Sequence, residues 1–145
     1  ALESTRDNDL AHNQVGNELY KLRRLDEAAA HLRAALAVNP ARDATRLTLA
    51  TVLIEQGKDD EAVVVLNEVI ARQPALAAAH NNLGMIAVRA GRQADAERHL
   101  RRALDLDPDL PSARINLGVL LAQSGRADEA VVHLRRAVEL EPRTE

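Results

Sequence analysis

The chain has no cysteine, tryptophan or phenylalanine, a single tyrosine at Tyr20 and a single methionine. Without cysteine there can be no disulfide, no thiolate nucleophile and no Cys-ligated zinc, while the compartment stays open. Without aromatic rings, a core must be assembled from Leu, Val, Ile and Ala, and such a core reaches native density only where small helical elements approach closely. Long apolar runs are also missing: nothing approaches the ~20 residues that cross a bilayer, and the opening ALESTRDND is too polar for a signal peptide. Nor is there a strong charge of either sign. The formal net charge is −3 and the isoelectric point about 6.0, which gives no general attraction to phosphate backbones or anionic membranes. A soluble chain is expected, cytoplasmic by default, with no nucleic-acid partner and no membrane insertion. Lysine is confined to Lys21 and Lys58, and the preference for arginine points to a GC-rich bacterial genome. The absence of an initiating methionine suggests a processed chain, a tag remnant or a segment of something longer.

What is present is a repeat. Pro40, Pro74, Pro108 and Pro142 stand 34 residues apart and divide the sequence, without gaps, into units 9–42, 43–76, 77–110 and 111–144, preceded by a short extension over 1–8. Periods of this length mark stacked helical or propeller units. Column 8 of the units holds Gly16, Ala50, Gly84 and Gly118; column 20 holds Ala28, Ala62, Ala96 and Ala130; column 24 holds Leu32, Leu66, Leu100 and Leu134. The remaining glycines, Gly57, Gly91 and Gly125, all fall in column 15.

Each unit reads as two helices. Leu83 and Ala87, then Leu100, Ala103 and Leu104, recur at helical spacing around a glycine-containing break. Acidic residues open each second helix (Asp26 and Glu27; Asp60 and Glu61; Asp95; Asp128 and Glu129), where the macrodipole favours them. The proline column ends that helix, and Pro111 suits the first turn of the next. Gly or Ala in column 8 facing a constant Ala implies two backbones in close approach, so Gly84, in the middle of an apolar helix, is read as a packing residue.

The pattern resembles the tetratricopeptide repeat, on Leu83, Gly84, Ala96, Leu100, Ala103 and Pro108 in the third unit and Leu117, Gly118, Ala130, Leu134, Ala137 and Pro142 in the fourth. Among such arrays it is most similar to the superhelical type of O-linked N-acetylglucosamine transferase. It departs from the usual pattern at column 4, where His12, Arg46, His80 and Arg114 replace a large aromatic, and at column 24, where leucine does. The resemblance implies an all-α, right-handed superhelical solenoid of four helix-turn-helix repeats, about eight antiparallel helices forming one domain over 9–144. It also implies that the first helices line a concave groove for protein or peptide partners.

Columns 2, 6, 9 and 13 share one face of the first helix. Column 6 holds Gln14, Thr48, Asn82 and Asn116, with Asn17 in column 9 and Asn13 and Asn81 in column 5. Asparagine is a poor helix former, so a stack of amides invites a function: hydrogen bonding to the backbone of an extended peptide, as the resembling family does with its asparagine ladder. Leu47, Ile54, Met85, Val88, Ile115, Val119 and Ala122 border the amides, with Tyr20 in the first unit and Arg89 in the third; Val88 and Ala122 read equally as core. The Lys/Arg pattern with which some family members clamp a C-terminal carboxylate is replaced here by Asn13, Asn17, Thr48, Ala78 and Asn82, which argues against a chaperone tail as ligand.

Chemistry is not expected. His31, His99 and His133 share column 23 and His12 and His80 share column 4, but identical columns lie about 10 Å apart, the helix packing distance, too far for joint coordination at ~2 Å. The serines Ser4, Ser112 and Ser124 lack a triad arrangement, and no glycine remains for a phosphate loop. No catalysis, metal or cofactor is therefore anticipated. Arg98, Arg101, Arg102, Arg135 and Arg136 form a basic stripe whose expected partners are Asp105 for Arg101 and Glu139 for Arg135, four residues on. Column 10 turns polar in the first unit (Glu18), whereas Val131, Val138 and Leu140 leave the last repeat apolar. Two alternatives to peptide binding follow: a homo-oligomeric scaffold through that last repeat, or a substrate-recruiting, regulatory segment of a larger enzyme.

Overall fold

A computed structural model describes residues 2–141, with side chains from residue 8 onward; Pro142, the fourth of the proline column, lies outside the described residues. Those residues form eight helices and no strand: α1 (Leu2–Lys21), α2 (Leu25–Val38), α3 (Asp43–Glu55), α4 (Asp59–Arg72), α5 (Ala77–Arg89), α6 (Gln93–Leu106), α7 (Pro111–Gln123) and α8 (Ala127–Leu140). The chain divides into two compact units, 1–72 and 73–145, each with two helix pairs. In both, the helices of a pair pack together, and the second helix of one pair packs on the first of the next.

One turn recurs in every repeat. The N–H of Arg24, Lys58, Arg92 and Arg126 donates to the carbonyl of Leu19, Leu53, Ala87 and Leu121 at 2.8–2.9 Å, the six-residue closure of a Schellman motif. It requires a left-handed residue in column 15. Gly57, Gly91 and Gly125 supply it at φ 75°, 73° and 78°, and Arg23 adopts φ 61° in the first repeat, where most side chains are disfavoured.

Close approach is confined to column 8. A methyl added at Gly16 would meet Leu32 Cγ at 2.8 Å, and one at Gly84 or Gly118 would meet Leu100 or Leu134 Cγ at 2.7 Å. Column 8 therefore faces first the leucine of column 24, and the alanine of column 20, read from the sequence as its counterpart, contributes its carbonyl at 3.5 Å from Gly84 and 3.3 Å from Gly118. In the second unit this packing grows into one cluster of Ala87, Ala96, Leu100, Ala103, Leu104, Ala113, Leu117, Leu120, Leu121 and Ala130, with Val88 and Leu110 against it.

Several ion pairs cross between repeats. Arg33 bonds Glu61 at 2.7 Å in the first unit; in the second, Arg101 reaches both Glu97 and Glu129, and Arg126 bonds the same two carboxylates. The expected pairs within the basic stripe are not the ones formed. Arg101 turns back to Glu97 rather than on to Asp105, as helical side chains lean toward the N-terminus. Glu139 is paired with Arg136, not Arg135, and Arg136 also holds Asp109 at 2.9 Å. No described helix is long and apolar enough to cross a membrane.

Candidate functional site

The polar face expected from columns 5 and 6 is built, but its amides are not equivalent. In the second unit Asn81 is only 5% exposed, and its Oδ1 accepts a bond from Asn116 Nδ2 at 2.9 Å. Its Nδ2 lies 3.9 Å from the Met85 sulfur. Asn81 is thus a buried clamp between α5 and α7 rather than a surface contact, a correction to its place among the partner-binding residues. The reason is its register: column 5 faces the next repeat, one position inward of column 6. The bond fixes the amide of Asn116 and uses one of its two N–H donors, leaving the other N–H and the carbonyl oxygen for a ligand.

Asn13 plays the corresponding part in the first unit, where its Oδ1 accepts from Thr45 Oγ1 at 2.7 Å. Thr48 donates its hydroxyl to the Ala44 carbonyl at 3.2 Å, the local back-bond open to threonine in a helix. Gln14 is exposed, and Asn17, Leu47 and Asn82 are half-buried. Ile54, read as bordering the amides, is buried.

Apolar surface gathers between α5 and α7. Met85, Val88, Arg89, Asn116, Val119 and Leu120 line an open cleft of about 190 Å³, with Val119 and Ile115 about two-fifths exposed nearby. Leu120, from the adjoining column 10, lies outside the expected face yet floors the cleft. At the equivalent place in the first unit, Tyr20 stands in the column of Val88. Its hydroxyl donates to Glu55 Oε1 at 2.6 Å, and Arg23 bonds the same carboxylate. Burial, and then the Glu55 carboxylate, push the Tyr20 phenol up to about 12, so the ring is held as a neutral strap from α1 to α3. The first unit closes with its own side chain what the second leaves open.

The histidine columns meet each other, a contact missed by comparing each column only with itself. His12 Nδ1 lies 2.9 Å from His31 Nδ1, the His80 and His99 rings are 6.1 Å apart, and Arg114 Nη1 is 3.0 Å from His133 Nδ1. Burial, followed by the charges of Arg98 and of Arg114, pushes His99 and His133 below the ordinary imidazole value. The constant separation of 19 residues was the available signal.

Two family models, each a tetratricopeptide repeat (TPR), match residues 19–84 and 82–143. The chain belongs to the tetratricopeptide repeat family. Solved TPR structures share its fold. TTC0263, a thermophilic TPR protein of Thermus thermophilus, superposes with a TM-score of 0.84 at 24% identity, over 92% of this chain and 74% of that one. MamA from Desulfovibrio magneticus gives 0.77 at 23% identity, over 92% and 75%. YrrB, described as a TPR protein with an unusual peptide-binding site, gives 0.71 at 22% identity, over 97% and 72%. No curated protein matches the chain. At these identities the likeness is one of fold.

Proposed function

We propose that this TPR chain is a protein-interaction module that binds an extended peptide, or an extended segment of a partner protein, along its first helices, without catalysis of its own. The cleft between α5 and α7 carries the reading. It combines an apolar floor with one amide whose orientation is fixed by a buried neighbour, the mixture that holds a peptide side chain and its backbone together. Asn116 supplies an N–H and a carbonyl to a backbone amide, Met85, Val88, Val119 and Leu120 receive an apolar side chain, and Arg89 stands at the rim. Asn82 extends the polar face of the second unit, and Gln14, Asn17 and Thr48 give the first unit a polar face of its own. The existence of a peptide-binding site on YrrB supports the same use of the fold here.

A peptide-library screen tests it, with wild type and two variants compared. Asn82→Ala/Asn116→Ala should weaken a selected peptide by about 1 kcal/mol or more per lost buried bond. Val88→Tyr/Gln123→Glu copies the Tyr20–Glu55 strap into the second unit and should abolish binding while leaving the helical signal intact. Selected peptides that bind the strapped variant as well as wild type would remove the cleft from the function.

A further inference from the structure

Among the described residues α8 packs only on α7, and its outer face is apolar. Within each unit the second helix of one repeat packs on the first helix of the next, and columns 24 and 28 serve that contact. In the second unit Leu100 and Leu104 of α6 join Ala113 and Leu117 of α7 in one cluster, with Leu104 only 8% exposed. In the last repeat the same columns are Leu134, half-buried, and Val138, 72% exposed. With Val131 they border an open hollow of about 430 Å³, beside Arg135 and Glu139. Val132 is exposed too, but so is Val64 in the same column; column 22 faces water elsewhere in the chain, whereas columns 24 and 28 do not. A terminal repeat that ends the array alone would present a polar face here.

We propose that this face is a docking surface for a second copy of the chain: α1 of one molecule packs on α8 of another as α7 packs on α6, carrying the 34-residue pattern across the junction. α1 presents the matching surface. Columns 3 and 7, which in α7 are the wholly buried Ala113 and Leu117, are in α1 Ala11 and Val15, both exposed.

The charges agree in register. Column 25 of one repeat bonds column 19 of the next inside both units, Arg33 with Glu61 at 2.7 Å and Arg101 with Glu129 at 2.6 Å. Across the proposed junction these columns hold Arg135 and Glu27. Arg135 is exposed and, among the described residues, no carboxylate engages it; Glu27 bonds Arg24 in its own repeat and keeps over half of its side chain in water. Glu18 is the polar member of the α1 face. It stands in the column of Leu120, which lines the cleft with Met85 and Val88 of α5, so it meets the neighbour's α7 rather than its α8. The junction is accordingly weaker than those within the chain, and association follows concentration. Because the two faces differ, the contact is heterologous and can pass from copy to copy. It does not involve Met85, Val88 or Asn116, so its failure and that of the peptide site are separate results.

Sedimentation equilibrium of the 145-residue chain should give a mass that climbs above 15.8 kDa as concentration rises. Val138→Asp, at an exposed position, should hold it at that mass with the helical signal unchanged. Arg135→Glu and Glu27→Arg should each weaken association about tenfold through like-charge contact, and the two together should restore it, since every junction then carries the pair reversed. The lack of native cysteine lets the faces be identified. Copies with Val15→Cys and copies with Val138→Cys, mixed and treated with a short bis-maleimide, should join to each other while neither joins to itself; Val132→Cys in place of Val138→Cys should give no product. A single mass of 15.8 kDa at every concentration, association that survives Val138→Asp, a charge-reversed pair as weak as either single variant, or Val138→Cys copies that join among themselves, as in a two-fold dimer through α8, overturns the proposal.

Discussion

Gly84→Ala measures the close approach that defines each repeat. The added methyl would stand 2.7 Å from Leu100 Cγ and 2.8 Å from its Cδ2, with the Ala96 carbonyl at 3.5 Å, and Leu100 is completely buried. Two terms oppose each other: alanine gains about 1 kcal/mol over glycine as a helix former, while overpacking a tight core costs about 1–3 kcal/mol. Ala50 occupies the same column opposite the buried Leu66, so helices spaced for a methyl tolerate it, which places the cost toward the lower end. The net effect in the wild type is a loss of about 0–2 kcal/mol from those two terms. The decisive quantity is the sign in a second background. Leu100→Ala alone should cost about 2–5 kcal/mol, but it removes the atoms that the methyl meets, so Gly84→Ala added to it should stabilise by about 1 kcal/mol. Urea denaturation of the four proteins, followed by helical circular dichroism, gives the coupling, expected at about 1–3 kcal/mol. Additivity within about 0.5 kcal/mol would refute the steric account of column 8.

The single tyrosine makes its own titration readable by absorbance: Tyr20 should ionise near 12, and Glu55→Gln should bring the midpoint down. Because the fold favours the neutral phenol, its contribution to stability is complete below the ordinary value of 10.0 and is lost as pH rises from there through about 12. Gly91→Ala isolates the backbone term, since nothing lies within 4 Å of its Cβ position at φ 73°; unfolding should show a loss of about 1–2 kcal/mol from the left-handed penalty alone. His99, held mainly by burial below its usual 6.5, binds its proton less readily folded than unfolded. Stability is therefore full above 6.5 and falls as pH drops through it toward the lowered value, and urea midpoints between about pH 8 and about pH 5 should flatten in His99→Gln.

The fold was legible because the sequence repeats its own constraints. Four alignments of Gly16, Ala50, Gly84 and Gly118 against Ala28, Ala62, Ala96 and Ala130 name a helix contact that no single helix would reveal, and α3, α5 and α7 start at Asp43, Ala77 and Pro111, the first column of their repeats. The candidate site was less legible, for a physical reason. Helical periodicity places a residue on a face to within about one position, and that one position separates Asn81, buried, from Asn82, half-buried on the polar face. Contacts between columns were also invisible to reasoning within columns: His12 with His31, Arg101 with Glu129 and Arg136 with Asp109 each join residues that the alignment sets apart. Arg23 was unreadable because only the backbone, not the side chain, shows that column 15 must be left-handed.

The repeats then serve as substitutions already made. Column 12 is Tyr20 in the first and Val88 in the third, and column 13 of the following repeat is Glu55 or Gln123. Where tyrosine meets glutamate, a hydrogen bond of 2.6 Å ties the two first helices together; where valine and glutamine stand, a cleft remains. The same repeat backbone therefore yields a closed surface or an open one through two side chains, above glycine–leucine packing of the same kind, Gly16 on Leu32 or Gly84 on Leu100. Column 4 with column 23 behaves alike: His12 meets the His31 ring, whereas Arg114 brings a guanidinium to His133. Stability in this chain lies in the columns that stay constant. The columns that vary are where the two units differ in surface, and the proposal places the peptide's apolar side chain in the cleft of the second unit for that reason.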